Sequence, residues 1–369
     1  MSMSLEHRSS LRKLPFPACT NEALKRLQNQ CLTFAHKQPS PKEIEVVLEV
    51  INEFVFNAGS GKSDKRSTPQ TILELQMLQV LLDYFKDPDI DPTVLCTVFV
   101  FLFMDPSKTE VMAKLVSLAM SIPTESVLKC TGVWMVQQGF TSERCMDLAH
   151  ILVDEYILVI PDHVNTLKNL ARLCPIFTSN LMTAITDMYP TLDKPPPKKI
   201  LELFVAWMNV SSCIPFTAAN KAINGSLPPS SAGSQSNSGT FTSLIGMARW
   251  NILAPLLDDP SNDAIYARLQ LALLESFIEV QSIRSEYKPD VVAVKKVVAL
   301  IQSLEMAMKS CENVQPEAKQ ESLDRLGQFL QAVSFSQCLS GRIAEIITTL
   351  KKLPSNRLIQ MYVVNLAKV

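Results

Sequence analysis

The sequence predicts an all-α protein built of irregular stacked helical hairpins, a HEAT/ARM-like solenoid, and three observations predict it. Apolar residues recur at i, i+3, i+4 and i+7 through most of the chain, the spacing that lines one face of a helix. The 23 prolines fall mainly between those periodic runs, and the 10 glycines are too few for a Gly-rich nucleotide fold. The joining segments are short, so successive helices must fold back and cover each other's apolar stripes. At 369 residues the chain exceeds one simple core, and its 47% hydrophobic content excludes a disordered protein.

Residues 1–20 read as a disordered N-terminus. Arg8, Arg12 and Lys13 stand among serines there, but Glu6, Pro15 and Pro17 argue against a transit peptide. A helical-repeat lobe over 21–223 follows. Its first helix spans Glu22 to Phe34, and its second starts at Pro41, a residue suited to a first helical turn, and buries Ile44, Val47, Leu48, Ile51 and Val55. Asn57 to Thr68 is a polar loop. Ile72 to Phe85 puts Leu75, Leu78, Leu82 and Phe85 on one side. Val94 to Met104 is apolar enough for a buried strand, but helical neighbours on both sides favour a central, doubly covered helix. Helices at Lys108–Ser121 and Glu125–Gln138 come next.

Three helices between Thr141 and Tyr189 are the clearest. The first carries Cys145, Leu148, Ala149, Leu152, Val153 and Tyr156 on one face, with Thr141 as its N-cap and Pro161 as its stop. Asp162 caps the second, which faces inward through Leu167, Leu170, Ala171 and Cys174. The third runs through Phe177, Leu181, Ile185 and Met188 to Pro190. Pro195, Pro196 and Pro197 form a rigid spacer into Lys198–Met208. Residues 224–240, rich in Ser, Gly, Pro and Asn, read as a flexible loop. A C-terminal lobe over 241–369, continuous with the first, holds helices at Phe241–Leu257, Asp263–Ile283, Asp290–Cys311, Glu317–Phe335, Arg342–Leu350 and Asn356–Ala367. The hairpins recur at roughly 30 to 40 residues without signature residues, so the repeat is architectural.

Chemistry is sparse. With 35 basic and 36 acidic residues the net charge is −1, which gives no electrostatic case for nucleic acid or an anionic membrane. The longest apolar run is shorter than the roughly 20 residues that span a bilayer. Nine cysteines without a C-x-x-C pair read as small buried hydrophobes, Cys96, Cys130, Cys145, Cys174 and Cys213 among them, in a reducing compartment. Gly59-Ser60-Gly61-Lys62-Ser63 imitates a P-loop but has Phe56 where the motif requires glycine, and a helix precedes it where a strand is needed. His7, His36, His150 and His163 show no metal-ligand spacing, and no Gly-x-Ser-x-Gly occurs. The acid pairs Asp154-Glu155 and Asp258-Asp259 read as helix surface and turn. No catalytic residue, cofactor, metal or small-molecule ligand is expected.

The structural candidates are Arg249 and Trp250. Arg249 lies between Met247, Ala248 and Trp250 in a helix apolar on most sides. A buried arginine must be paired, so a carboxylate from an adjacent helix is expected to meet it as an inter-helix clamp; a partner-binding role is the other reading. Trp134, Trp207 and Trp250 are expected in the core.

A series of short motifs, in order along the chain, resembles one known family. They include Asn52-Glu53-Phe54-Val55-Phe56, Leu73-Glu74-Leu75-Gln76-Met77-Leu78, Lys114-Leu115-Val116-Ser117 and Leu152-Val153-Asp154-Glu155-Tyr156 with Val159-Ile160-Pro161. Further on stand Gly246-Met247-Ala248-Arg249-Trp250 with Ala254-Pro255-Leu256, then Leu323-Asp324-Arg325-Leu326 and Leu353-Pro354-Ser355-Asn356-Arg357-Leu358. The series resembles subunit 15 of the Integrator complex. The resemblance implies a nuclear, non-catalytic scaffold whose partners are other Integrator subunits, connecting a peripheral module to the core. The assembly it implies works with RNA polymerase II in transcript cleavage, small nuclear RNA 3′-end processing and promoter-proximal attenuation. The second reading is a helical-repeat subunit that touches RNA or DNA directly, or a generic scaffold in another complex. Membrane association is not expected.

Overall fold

The computed structural model describes residues 5–34, 38–57, 70–139, 142–190, 194–217, 243–283, 292–311 and 315–366. The described residues are all-α apart from one pair of two-residue strands. They fall into two compact units, Met1–Gln138 and Gly139–Val369. The polar segment 58–69 with its P-loop imitation, the cap Thr141, and the loop at 224–240 lie outside the described residues. The helices flanking 224–240 pack within one and the same unit.

The first unit contains α1 (Leu5–Leu11), α2 (Ala18–Phe34), α3 (Pro41–Ile51), α4 (Gln70–Phe85), α5 (Pro92–Leu102), α6 (Thr109–Ser121) and α7 (Glu125–Gln138). The disorder expected of residues 1–20 is corrected over the described residues 5–20 by α1 and the start of α2. Leu11 is buried, and Arg8 and Arg12 form ion pairs with Glu49 and Glu53, so this segment has both an apolar anchor and charged ties. Ser40 and Glu43 close a capping box at the start of α3, with Pro41 in the first turn as its fixed φ favours. α3 continues into a π-helical turn, Asn52–Phe56, and the Thr20 hydroxyl donates to the Phe54 carbonyl at 2.7 Å. Asp91 caps α5 by accepting from the Thr93 and Val94 amides. The apolar run from Val94 is indeed a helix, with Leu95, Val98, Phe99, Phe101 and Leu102 buried. Phe99 stacks between Phe85 and Phe103 at centroid distances of 5.6 and 4.8 Å. On α4, Leu78, Leu82 and Phe85 face the core as expected, but Leu75 is 57% exposed.

The second unit contains α8 (Glu143–Ile151), α9 (His163–Leu167), α10 (Leu170–Leu173), α11 (Pro175–Met188), α12 (Lys198–Val210), α13 (Ile214–Thr217), α14 (Ser243–Leu257) and α15 (Asp263–Ile283). It continues with β1 (Val292–Ala293), α16 (Val294–Ser310), α17 (Pro316–Phe335), β2 (Leu339–Ser340), α18 (Ile343–Leu350) and α19 (Arg357–Leu366). Ser142 caps α8. A π-helical turn, Leu152–Ile157, continues α8 and adds a residue to the repeat. That shift buries Ile157 where the helical spacing points to Tyr156, which is left half-buried. Asp162 does not cap the next helix: it takes a left-handed conformation with φ 53° and makes no side-chain cap bond. The single helix expected there is two short ones, though its inward face of Leu167, Leu170, Ala171 and Cys174 is buried as anticipated. β1 and β2 pair in parallel, Val292 opposite Leu339 and Ala293 opposite Ser340, a pairing too short to leave a pattern in sequence.

In both units a helix packs on the one two places later in the chain. α4 lies on α2 and α6, and α5 on α3 and α7; α16 lies on α14 and α18, and α17 on α15 and α19. α14 also touches α11, α15 and α17. Gly246 is where α14 meets α11, because a Cβ built there would stand 2.4 Å from Cβ of Thr186. Gly246→Ala should therefore lower stability by about 1–3 kcal/mol in denaturant melts, although alanine is the better helix former. An equal or higher midpoint would show that the two helices can move apart freely.

Candidate interaction surface

The three tryptophans predicted for the core are fully buried. The Trp207 indole donates to the Leu167 carbonyl and the Trp250 indole to the Tyr189 carbonyl, each at 2.9 Å. Phe204 lies between the two rings, at 5.8 Å from Trp207 and 5.7 Å from Trp250. Trp250 is thus a core residue with its one polar atom satisfied, as a buried indole requires.

Arg249 differs from expectation. It is half-buried, and its guanidinium donates to the Pro190 carbonyl at 2.8 Å rather than forming an ion pair with a carboxylate. Burial lowers its pKa, and the nearby Asp187 carboxyl of α11 acts in the opposite sense. Asp187 is itself pushed up to about 6 by burial, with Lys296 and Arg249 only partly offsetting that push.

The buried arginine of this unit is Arg325 on α17, with its side chain 6% exposed. It reaches Asp263 at the start of α15 and Glu321 one turn back on α17, each at 2.5 Å. Its Nη1 also donates to the Asn251 carbonyl at 3.0 Å. That third bond has a local cause. Pro255 stands inside α14 and has no N–H, so the carbonyl four residues earlier loses its helical donor. The guanidinium of Arg325 supplies a replacement and ties α14, α15 and α17 together. Two signals point to it in the sequence: a proline inside an apolar helix, and an arginine spaced from Ser322 and Phe329 so as to share their inward face.

The clamped helices carry an open cleft of about 1060 Å³. Its walls are α15, through Leu274 and Ile278, and α19, through Met361, Tyr362, Asn365 and Leu366. The floor is α17 from Gln328 to Phe335, and Leu339 and Ile343 close one end. Ile278, Phe335 and Met361 are 55%, 56% and 49% exposed. Among the described lining residues none carries a charge; the polar ones are amides and hydroxyls such as Gln328, Gln331, Ser334 and Gln337. Tyr362 and Ser334 hydrogen-bond each other at 2.9 Å, and Gln331 donates to the Leu358 carbonyl at 3.4 Å, so part of that polarity is already spoken for. α15 builds its wall because it is apolar on two sides: Leu269, Leu273 and Phe277 point into the core, while Leu271 and Ile278 point out.

The remaining titratable groups offer no nucleophilic constellation. Burial pushes the Cys31 and Cys145 thiols up to about 12 and about 11. Cys96, half-buried, is held below the usual thiol range by a hydrogen bond with Cys130. His150 is exposed, and the side chain of His163 lies outside the described residues. Among the described residues no three His, Cys, Asp or Glu side chains converge as metal ligands, and no helix is long and apolar enough to cross a membrane.

A family model described as Integrator complex subunit 15 matches residues 5–355. The chain is 27% identical to Integrator complex subunit 15 of Danio rerio over 348 residues, covering 85% of this chain and 70% of the relative. It is 26% identical to the Drosophila melanogaster protein of the same name, covering 98% of this chain and 99% of the relative. It is also 26% identical to the Homo sapiens one, covering 96% and 86%.

Two outcomes follow from the polar contacts. Arg325→Ala should cost about 2–3 kcal/mol, more than Arg249→Ala. The loss should shrink by about 1 kcal/mol in a Pro255→Ala background, where residue 255 again offers an N–H to the Asn251 carbonyl; a double-mutant cycle of denaturant midpoints measures it, and strict additivity would refute the link. Asp187 is the second case. Its folded pKa is raised to about 6 from the ordinary 3.8, so its contribution to stability is fully present below the lower value and is lost as pH rises through the higher. Asp187→Asn should raise the melting temperature at pH 7 to 8 and leave it unchanged at or below about pH 4; a gain independent of pH would mean that ionisation is not the cause.

Proposed function

This chain belongs to the Integrator complex subunit 15 family, and on that premise we propose that it is a non-catalytic scaffold of the nuclear Integrator complex, docking other subunits through helical surfaces. In this reading it connects a peripheral module to the core of an assembly that cleaves RNA polymerase II transcripts, processes small nuclear RNA 3′ ends and attenuates transcription near promoters. The observation that carries the docking role is the cleft on α15, α17 and α19, whose described lining residues are uncharged and where large apolar side chains stand exposed beside one another rather than singly. Contiguous exposed apolar surface of this kind marks interaction sites, and aromatic and methionine side chains are enriched at interface centres.

The packing of α4, α5, α16 and α17 on the helices two places before and after them supports a stacked, HEAT-like arrangement, since a solenoid grows by such neighbour contacts. The bonds of the Arg325 guanidinium to Asp263, Glu321 and the Asn251 carbonyl support a rigid framework, which lowers the entropic cost of docking.

The test is purification of the tagged chain from nuclear extract, with mass spectrometry of what accompanies it. Integrator subunits should be recovered in amounts comparable to the tagged chain. Recovery of the chain alone, or with an unrelated set of proteins, would overturn the assignment.

A further inference from the structure

We propose that the cleft between α15 and α19 receives a two-turn amphipathic helix of another protein subunit, inserted through an uncharged face of aliphatic or methionine side chains. This rests on the reading of the chain as a subunit of an assembly and adds the chemistry of one partner segment. Three observations select that occupant.

The first is electrostatic. None of the described residues lining the cleft is charged, and the polar ones among them are amides and hydroxyls. A charged segment lowered into it would lose water and gain no counter-ion, at a cost that an apolar face avoids. Nucleic acid is disfavoured for the same reason, because its binding is dominated by cationic contacts to phosphate.

The second is the backbone. An extended peptide docks by adding to a sheet edge, which satisfies its own N–H and C=O groups. The walls and floor here are helices, and the nearest strand, β2, is two residues long. A helix brings its backbone hydrogen bonds with it and needs only side-chain complementarity.

The third is length. The floor runs from Gln328 to Phe335 on α17, an i to i+7 span of about 10 Å at the helical rise of about 1.5 Å per residue. That is two turns, enough for anchors at i, i+3 or i+4, and i+7. Phe335 lies at one end of that floor and Ile278 and Met361 on its facing walls, which places contact points on three sides of the inserted helix.

The experiment uses the full chain, tagged, with Phe335→Glu and Met361→Glu as separate variants. Both residues are about half exposed, so each variant should melt within about 2 °C of the parent. Recovery of at least one Integrator subunit should fall about tenfold or more, as when a charge enters an interface centre. Leu75→Glu, equally exposed but on α4 of the other unit, should leave recovery unchanged. A photo-crosslinking residue replacing Ile278 should attach to a segment of that subunit whose apolar residues follow helical spacing and whose contacting face lacks charge. Unchanged recovery with both variants, or a crosslink to a second copy of this chain, to RNA or to a charged segment, would overturn the proposal. If a glutamate variant does not fold, Phe335→Ser and the crosslink decide the matter in the same way. A parent chain that brings down no Integrator subunit defeats the assembly reading instead, which keeps the two failures distinct.

Discussion

The carbonyl of Asn251 is the point on which the second unit turns. It belongs to a helix with hardly any solvent face: all but three of the 15 residues of α14 are buried. Such a helix must find protein partners for the backbone groups that its own ladder leaves free. Pro255 breaks that ladder and Arg325 repairs it from α17. The repair imports a charge into the interior, and the charge is met by Asp263 and Glu321, whose side chains remain partly in water. One missing N–H thus sets the identity of a side chain on another helix, the position of α15 through Asp263, and through both helices the walls and floor of the cleft.

The same economy governs the other contacts of α14. Where it approaches α11 the side chain is absent altogether, at Gly246, and where it carries an indole the donor is directed to the Tyr189 carbonyl beyond the end of α11. Arg249 lies at the edge of this helix and meets the carbonyl of Pro190 near that chain end. Consecutive backbone carbonyls at 189 and 190 thereby receive consecutive side chains at 250 and 249. The chain just beyond α11 is thus fastened by its main chain and by the buried Tyr189 ring, which meets Trp250 edge-on at 6.4 Å.

Much of the fold was legible because its signals are local. Proline at a first turn marks the start of α3 at Pro41, which the structure reproduces with Ser40 as the cap. Apolar spacing identified α6, α7, α15 and α17 to within a residue or two. What spacing could not show is where the spacing itself changes: the π-helical turn at 152–157 moves a buried position from Tyr156 to Ile157. Nor could composition order the first twenty residues, since α1 depends on Glu49 and Glu53 some forty positions away. The arginine clamp was anticipated as a device and placed on the wrong residue. Apolar sequence neighbours suggested Arg249, whereas burial is decided by position around the helix, and Arg325 shares its face with Ser322, Phe329 and Leu326. The cleft was missed because an outward apolar stripe and an inward one look alike until the inward one is known.

The neutrality of the cleft also decides which physical variable controls it. With no charge among its described lining residues, a partner docking there would have little field to draw it in and little to lose when salt rises. Encounter there proceeds at the unassisted rate of two patches meeting by diffusion, and lifetime rather than arrival sets how full it is. Burial of apolar surface carries a negative heat-capacity change, so temperature takes the place of salt as the lever. A joint made this way tightens as it warms from the cold and loosens when chilled, and an assembly held through it is more at risk on ice than in concentrated buffer.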